Sequence, residues 1–365
     1  MYSNDSRIVL TLDAGGTNFV FSAIQANKEI VEPVTMSSRP DDLGQCLSVI
    51  VKGFLAIREQ LKSSEVAISF AFPGPADYES GIIGDLPNFP AFRGGVALGP
   101  FLMEIFNLPV FINNDGNLFA YGEALAGALP AINNELQMAG ASKRYKNLLG
   151  VTLGTGFGGG VVLNNVLLTG DNGCGGDVWC SANKLDNKII AEEGVSIRAV
   201  NRVYNELVGI KTELTPKDIF DIAEGIKEGN RQAAINSFVS LGEIAGYTIA
   251  EFLNIVDGIV VVGGGISKAH KYILPAMVTE MNGIRKMISG AQFPRLQTKA
   301  YNLTDADERK SFIKEEPRWI TIPGTDKLVA YNTGKKTGVA ISRFGTDKAI
   351  ALGAYAYALG RLDKK

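Results

Sequence analysis

The chain has 365 residues, a length typical of two or three domains. Hydrophobic residues make up 46% and charged residues 20%, which excludes a disordered chain, and a net charge of −2 gives no sign of nucleic-acid binding as the main role. Glycine is the outlier, with 42 residues against a usual share of about 7%. We therefore look for function in glycine loops.

Three cysteines, Cys46, Cys174 and Cys180, are too few and too scattered for a disulfide framework and fit a reducing cytosol. The N-terminal residues lack a basic region followed by an apolar stretch, so we expect no signal peptide. No apolar run approaches about 18 residues, which predicts a cytoplasmic chain without a membrane span. The only histidine, His270, excludes a multi-histidine metal site.

Strands and helices alternate along the chain. Apolar runs bounded by glycine, proline or asparagine predict strands, and apolar residues at helical spacing predict helices. The predicted strands are 8–12, 19–24, 65–72, 109–115 and 257–262, and the predicted helices are 42–61, 115–129, 191–208, 231–256, 267–277 and 347–362. This alternation is typical of an α/β fold.

One strand–glycine turn–strand pattern occurs twice, at 10–23 (LTLDAGGTNFVFSA) and 151–164 (VTLGTGFGGGVVLN). Two copies 141 residues apart indicate two lobes with related folds. The second copy contains G-x-G-x-x-G, but it runs into a β-branched stretch with Asn-Asn, a hairpin signal, where a dinucleotide-binding loop would open a helix. TGKKTG at 333–338 lacks the spacing of a phosphate-binding P-loop and predicts a basic turn.

Both turns can bind phosphate. Glycine lets backbone N–H groups approach an anion closely, and a hydroxyl residue, Thr17 or Thr155, lies in each turn. Two tight turns without a ligand remain the alternative. A third loop, 263–265, follows a buried strand and precedes a helix, a place suited to phosphate or to a flat ligand; here the alternative is a close strand-to-helix crossing.

Asp115 ends one predicted strand and begins a helix. The C-terminal ends of strands are where sites form in α/β folds, and the helix dipole favours an ionised carboxylate there. Phosphoryl transfer needs such a base to accept a hydroxyl proton. An N-cap aspartate without a catalytic role is the alternative.

Six segments resemble, in order, the motifs of the ROK family of sugar kinases in the actin-like ATPase superfamily. They are LDAGGTN (12–18), FPGPAD (72–77), LPNFPAFRG (86–94), INNDGNLFAYGEA (112–124), LGTGFGGG (153–160) and VVGGGIS (261–267). The resemblance implies a two-lobed, ribonuclease H-like fold with a ligand cleft between lobes that close on the sugar. We expect an N-terminal lobe of 1–113, with the helix 347–365 packing back on it, and a C-terminal lobe of 114–346 with insertions near 130–147 and 293–343.

The resemblance also implies an activity, an ATP- and Mg²⁺-dependent transfer of phosphate to the 6-hydroxyl of a hexose. Glucose is the first candidate; N-acetylhexosamine, N-acylmannosamine and fructose are alternatives. The implied roles are general base for Asp115, Mg²⁺ contact through water for Asp13, phosphate binding for Asp13, Gly15, Gly16, Thr17, Gly154, Thr155 and Gly156, adenosine binding for Gly263, Gly264 and Gly265, and sugar binding for Gly74, Asn88, Asn114, Asp177 and Glu192.

The sequence departs from the family at its zinc and sugar segment. Asp177 stands where the family has Glu, Cys180 stands where it has His, and the cysteine cluster is missing, so we expect no structural zinc and leave the sugar open. The expected partners are sugar, ATP and a second copy in a homodimer, without nucleic acid or membrane. A sugar-responsive repressor is disfavoured because about seven residues precede the first strand. A degenerate sugar sensor remains the other non-enzymatic alternative.

Overall fold

The computed structural model describes residues 1–15, 17–86, 89–315 and 317–364. The chain forms two compact units. The first unit comprises Met1–Gly127, Gly160–Gly176 and Arg343–Lys365, and the second comprises Ala128–Gly159 and Asp177–Ser342. These boundaries differ from the predicted division at 113/114, because the helix that follows residue 114 and the segment 160–176 belong to the first unit.

Strands and helices alternate as the α/β prediction requires. The strands are β1 (Val9–Ala14), β2 (Asn18–Gln25), β3 (Lys28–Glu29), β4 (Val34–Ser37), β5 (Ala67–Ala71), β6 (Ala76–Asp77), β7 (Ile82–Ile83), β8 (Val110–Asn113), β9 (Leu148–Leu153), β10 (Phe157–Leu163), β11 (Val166–Leu167), β12 (Ile259–Gly263), β13 (Ile284–Lys286), β14 (Gln292–Pro294), β15 (Lys299–Asn302), β16 (Arg318–Thr321), β17 (Leu328–Tyr331) and β18 (Lys336–Ile341). The helices are α1 (Leu43–Arg58), α2 (Leu98–Phe106), α3 (Asp115–Leu125), α4 (Ala128–Met138), α5 (Ile197–Val208), α6 (Pro216–Ala223), α7 (Arg231–Val256), α8 (His270–Met281), α9 (Ala306–Ile313) and α10 (Thr346–Leu362).

The first unit is built on a sheet in the order β3-β2-β1-β5-β8, with β4 added beside β2. β1 and β2 are antiparallel, whereas β1, β5 and β8 run parallel. The parallel strands therefore present their C-terminal ends, including Asp13 and Asn113, at one edge of the sheet. The strands are rich in buried Phe, Ile and Leu because the core on the α1 and α2 side is an aromatic cluster.

Helix α10 packs on α3, β1 and β5 within the first unit. Two glycines allow a very close approach between the helices: a Cβ on Gly122 would overlap the carbonyl oxygen of Ala349, and a Cβ on Gly353 would overlap that of Leu118. Backbone-to-backbone contact of this kind leaves little freedom to shift one helix along the other. The start of α3, where Asp115 lies, is fixed by this contact.

The second unit contains the strands at the centre of the other large sheet, whose order is β11-β10-β9-β12-β18-β15. β9, β12, β18 and β15 are mutually parallel. The region near 293–343, expected to be inserted, thus supplies two of the sheet's strands. TGKKTG, predicted as a basic turn, instead enters β18 at Lys336, because Thr337 and the residues after it are buried against β12 and β15.

Two helices of the second unit bear on two predictions, the absence of a membrane span and a helix at 191–208. α7 is long and apolar enough to qualify as a membrane span by length and composition, but its buried residues pack against α5, α6 and α8. The predicted helix 191–208 is a 3₁₀ turn, Ala191–Gly194, followed by α5. The helix does not continue back through the turn because Glu192 is held by hydrogen bonds to another loop, described below.

Candidate functional site

Asp115 is the first residue of α3, directly after β8, and the helix cap is its neighbour. The Oδ1 atom of Asn114 accepts hydrogen bonds from the N–H of Gly116 at 2.8 Å and of Asn117 at 3.4 Å. The N-cap alternative for Asp115 is therefore wrong, since Asn114 performs that function. Asn113, buried at the end of β8, accepts from the Asn114 N–H at 2.8 Å and fixes this junction.

The Asp115 carboxylate is exposed to solvent on one side, yet the protein atoms around it raise its pKa above the ordinary value. The N–H of Gly116, which donates to Asp115 Oδ1 at 2.9 Å, opposes the rise only in part. The helix N-terminus was expected to stabilise the ionised form of Asp115, but the burial of the carboxylate among protein atoms has the larger effect on its pKa. A carboxylate with a raised pKa is a better general base than an ordinary one.

Asp13, at the end of β1, belongs to the same group of carboxylates. Its pKa is raised, first by burial and then by the negative charges of Asp347 and Asp115. Asp347 lies in the first turn of α10, and sequence reasoning missed it although it expected this helix beside the N-terminal strands. The signal that could have identified Asp347 is its position: it is an acidic residue at the start of a helix that was expected to pack beside the N-terminal strands.

Gly15, in the β1–β2 turn, has a packing reason to be glycine without any ligand. A Cβ on Gly15 would lie 2.8 Å from the Asn18 carbonyl oxygen. Thr17 is exposed, and its carbonyl oxygen accepts from Ser38 N–H at 3.0 Å. Gly16, also predicted to bind phosphate, lies outside the described residues.

The predicted sugar-side loops follow β5. Gly74 is exposed, and a Cβ there would lie 3.1 Å from the hydroxyl of Tyr78. That hydroxyl donates to the carbonyl oxygen of Phe72 at 3.0 Å, which ties the loop to the end of β5. Asn88, the other predicted sugar ligand of this region, lies outside the described residues.

In the second unit the β9–β10 turn contains Gly154, Thr155 and Gly156. Gly154 N–H donates to the Gly156 carbonyl oxygen at 3.0 Å, and the Gly154 carbonyl oxygen accepts from Ile197 N–H, at the start of α5, at 2.9 Å. No atom lies within 4 Å of the Cβ position of Gly154. Open space above this glycine fits a loop that a ligand approaches.

Glu192 lies against the same turn. Its Oε2 accepts from Phe157 N–H at 3.0 Å, and it would lie 2.5 Å from a Cβ on Gly156. Its Oε1 accepts from Arg198 Nη2 at 3.1 Å, and Arg198 Nη1 lies 3.5 Å from the Thr155 carbonyl oxygen. Glu192, which was predicted to bind sugar, is thus linked through Arg198 to the turn that was predicted to bind phosphate. Sequence reasoning missed Arg198 because its spacing matches no motif.

The triple glycine loop lies beside this turn. β12 pairs with β9 so that Gly263 faces Thr152. Gly264 has φ +87°, and a Cβ on it would overlap the backbone of Leu153, so the close-crossing alternative accounts for this glycine. Gly265 has no atom within 4 Å of its Cβ position. The predicted phosphate and adenosine loops of the second unit are therefore neighbours, with open space at Gly154 and Gly265.

Asp177 and Glu192 are on adjacent turns of the second unit, because the 3₁₀ turn Val178–Cys180 packs on Ala191–Gly194. Burial raises the pKa of Asp177, and a hydrogen bond from the Trp179 side chain opposes this rise. Cys180 is exposed, and its thiol lies 3.3 Å from the Asp177 carbonyl oxygen. Among the described residues, no group of three or more His, Cys, Asp or Glu side chains is arranged to hold a metal ion directly.

Three comparisons relate the chain to known proteins. The model of the ROK family matches residues 9–292. The crystal structure of glucokinase from Parabacteroides distasonis is 57% identical, with 99% of each chain covered and a TM-score of 0.88. Glucokinase from Thermotoga maritima is 27% identical over 74% of this chain and 89% of its own, and N-acetyl-D-glucosamine kinase from Vibrio cholerae is 27% identical over 70% and 83%.

These matches cover most of the chain. They confirm the predicted resemblance and the actin-like α/β fold. The chain belongs to the ROK family.

Proposed function

We propose that the chain is an ATP-dependent hexose kinase that phosphorylates the 6-hydroxyl of glucose. The observation that carries this proposal is the placement of Asp115, which follows a parallel strand, is not the N-cap of α3 and has a raised pKa. The similarity to the Parabacteroides distasonis glucokinase supports glucose as the sugar. The reaction would take place in the cytoplasm.

Asp115 is the general base. It accepts the proton of the 6-hydroxyl while that oxygen forms a bond to the γ-phosphorus and the bond from phosphorus to the β,γ-bridging oxygen breaks. The products are the sugar 6-phosphate and ADP. Because phosphoryl transfer involves little covalent chemistry for the protein, positioning and charge stabilisation supply most of the rate.

The glycine turns supply the positioning of the nucleotide. Gly15 and Thr17 in the first unit and Thr155 and Gly156 in the second present backbone N–H groups suited to phosphate oxygens. The Gly154 N–H already donates to the Gly156 carbonyl oxygen, so Gly154 contributes the open space for the nucleotide. The open space at Gly265 suits the adenosine. Because Gly15, Gly156 and Gly264 also have packing reasons to be glycine, the open positions Gly154 and Gly265 carry this part of the proposal.

The residues around Asp13 fit a Mg²⁺ ion held through water. Burial, and after it the negative charges of Asp347 and Asp115, raise the pKa of Asp13, and a bound cation would offset the repulsion among these carboxylates. Bound Mg²⁺ supplies charge neutralisation on the phosphate oxygens. The Asp13 carboxylate would attract the cation through a bridging water, so the ion would not need three direct protein ligands.

Sugar hydroxyls are held by Asn114, Asp177 and Glu192, with Gly74 and Asn88 on the loops after β5. The Asn114 Oδ1 caps α3, so its Nδ2 is the group offered to the sugar. N-acetylglucosamine is the second candidate substrate, supported by the similarity to the Vibrio cholerae kinase. The same Asp115 chemistry serves either sugar.

A substrate panel tests the proposal. Purified protein is mixed with ATP and Mg²⁺, and ADP release is measured with glucose, mannose, fructose, N-acetylglucosamine and N-acetylmannosamine, each against a blank without sugar. We expect the highest kcat/KM with glucose. A higher value for N-acetylglucosamine would correct the substrate, and no sugar-dependent ADP release with any of the five would refute the kinase.

A further inference from the structure

The first unit contains a cavity of about 550 Å³, which we name the loop pocket. It is lined by the segment 76–79, the loop 169–173, Asn113 and Tyr357. Its volume falls within the roughly 300–1,000 Å³ typical of small-molecule sites. Of the described residues proposed to hold the substrate sugar, none lines the loop pocket, so it is a different site.

Asn113 leaves a buried hydrogen-bond donor unused at this pocket. The residue is 2% exposed, and its Oδ1 accepts from the Asn114 N–H at 2.8 Å and from Asn117 Nδ2 at 3.1 Å. Among the residues that the structure describes, none accepts a hydrogen bond of good geometry from Asn113 Nδ2. A buried donor without an acceptor is destabilising, so an oxygen atom of a ligand would be favoured beside it.

The charges of the loop pocket disfavour an anionic ligand. None of its described lining residues is Lys or Arg, whereas Asp77, Glu79 and Asp171 bring three carboxylates. Hydrogen bonds from the Ser80 hydroxyl and N–H lower the pKa of Asp77, so this carboxylate is ionised at neutral pH. Glu79 is paired with Arg361 at 2.7 Å. The remaining negative charge would repel a phosphate group.

The same lining suits a neutral ligand with several hydroxyl groups. Carboxylates accept hydrogen bonds from hydroxyls, and the side chains of Thr169 and Asn172 both donate and accept. The rings of Tyr78 and Tyr357 add apolar surface. Dispersed polar groups beside aromatic rings fit the alternating C–H and O–H groups of a hexose.

We propose that the loop pocket is a second sugar site, which binds an unphosphorylated hexose and couples that binding to Asp115. The Asn113 amide holds the N–H of Asn114, and Asn114 caps the helix that begins at Asp115. A hexose oxygen that accepts from Asn113 Nδ2 restrains the same amide group. The occupied pocket therefore preorganises the start of α3 for the substrate.

The coupling rests on the proposed kinase function, whereas the binding does not. Because the pocket rejects phosphate, a hexose enters it and the 6-phosphate product does not. The site thus responds to the supply of unreacted sugar. Positive coupling between two sites for one sugar predicts a sigmoidal dependence of rate on its concentration.

Binding is tested by calorimetry of the full chain with glucose in the absence of ATP. The test variant is Asp171→Lys, which replaces an exposed carboxylate of the pocket by a longer side chain of opposite charge. The matched control is Asp41→Lys, the same change at an exposed residue of the same unit ahead of α1. We expect two glucose molecules per chain in wild type and control and one in Asp171→Lys, with equal melting temperatures for all three.

The rate of ADP release is then measured against glucose concentration at saturating ATP. We expect a sigmoidal curve for wild type and control, with the two sites coupled by about fivefold, the lower end of typical values. Asp171→Lys should give a simple hyperbola. Two bound glucose molecules without any ADP release would refute the kinase and still support the second site.

Three results would overturn the second site. One glucose per chain in wild type would show that the loop pocket does not bind it. Two in Asp171→Lys would place the second sugar elsewhere, and none in that variant would make the pocket part of the substrate site. A hyperbolic wild-type rate curve would overturn the coupling to Asp115.

Discussion

The Asp115 carboxylate holds a negative charge where crowding by protein atoms disfavours it. Because its folded pKa lies above the unfolded value, the group favours folding below the unfolded pKa, and this contribution is lost as pH rises through the folded pKa. Ionised Asp115 therefore weakens the fold at neutral pH. Its charge is retained for chemistry and not for stability.

The substitution Asp115→Asn separates these two effects. We expect turnover to fall by about 10²–10⁴-fold, the usual contribution of a positioned base, while the melting temperature at pH 7 rises. The helix start stays intact because Asn114 is the cap. The control is Asp42→Asn at the cap of α1, where the Gln45 N–H lowers the aspartate pKa; it should leave turnover unchanged and should not raise the melting temperature. An active Asp115→Asn enzyme would remove Asp115 from the mechanism.

The raised pKa of Asp115 also predicts a pH profile. A general base acts only when deprotonated, so kcat/KM should decrease as pH falls through the pKa of Asp115. Because burial raises that pKa, the decrease should begin at a higher pH than for an ordinary aspartate of about 3.9. Initial rates in buffers of constant ionic strength, with folding checked at each pH, measure this. A profile that stays flat down to the ordinary value would contradict the prediction.

Arg198 offers a test of how Glu192 is held. Its guanidinium donates to the Glu192 carboxylate and approaches the Thr155 carbonyl oxygen. We expect Arg198→Met to raise the KM for sugar by about tenfold, as for loss of one hydrogen bond to a charged group, with a smaller change in kcat. Arg285→Met, in β13 and paired with Glu251 at the surface, is the control and should change neither. If Arg198→Met instead lowered both kcat and the melting temperature, the result would contradict this prediction and would show that Arg198 only stabilises the fold.

At the scale of elements, the contact between α3 and α10 determines where Asp115 lies. Gly353→Ala should be strongly destabilising, by several kcal/mol, because the new methyl group overlaps the Leu118 carbonyl oxygen and cannot be relieved without moving a helix. Turnover should fall with it. The control in the same helix is Gly360→Ala, whose Cβ would have no neighbour closer than 3.5 Å and should stabilise by about 0.5–1 kcal/mol through helix propensity. Similar melting temperatures for the two variants would contradict the close contact.

Elements were predictable from sequence where their pattern was long and apolar. β1, β5, β12, α1, α7 and α10 follow from their periodicity. β15 and β18 do not, because KAYN and KTGVAI begin with lysine and have only two and three consecutive apolar residues, so neither stretch shows the apolar run that predicts a buried strand. The 3₁₀ turn before α5 was missed because its cause, the hydrogen bond from Phe157 N–H to Glu192, joins residues 35 positions apart.

At the scale of the whole molecule, the candidate site was predictable where it is made of local motifs. Gly154, Asp115 and Gly265 each lie within a short recognisable segment. Asp347 and Arg198 could not be found this way, because Asp347 acts on Asp13 through its charge and Arg198 donates a hydrogen bond to Glu192, and both relations depend on the tertiary structure. The β16–β17 hairpin was likewise predicted only as part of the insertion near 293–343, because its strand sequences, RWIT and LVAY, fall outside the six motif segments.

Removal of metal ions should abolish activity and leave the stability of the whole molecule unchanged. A structural zinc site needs four thiolate or imidazole ligands, and the chain has three cysteines and one histidine in total. Cys46 is buried in the core of the first unit beside Ile50 and Phe54, so no four-ligand set remains. We expect a zinc content far below one per chain and an unchanged melting temperature in EDTA, whereas sugar-dependent ADP release should stop in EDTA and return with excess Mg²⁺. One tightly held zinc per chain, or unfolding caused by the chelator, would show that this chain builds a metal site from other ligands.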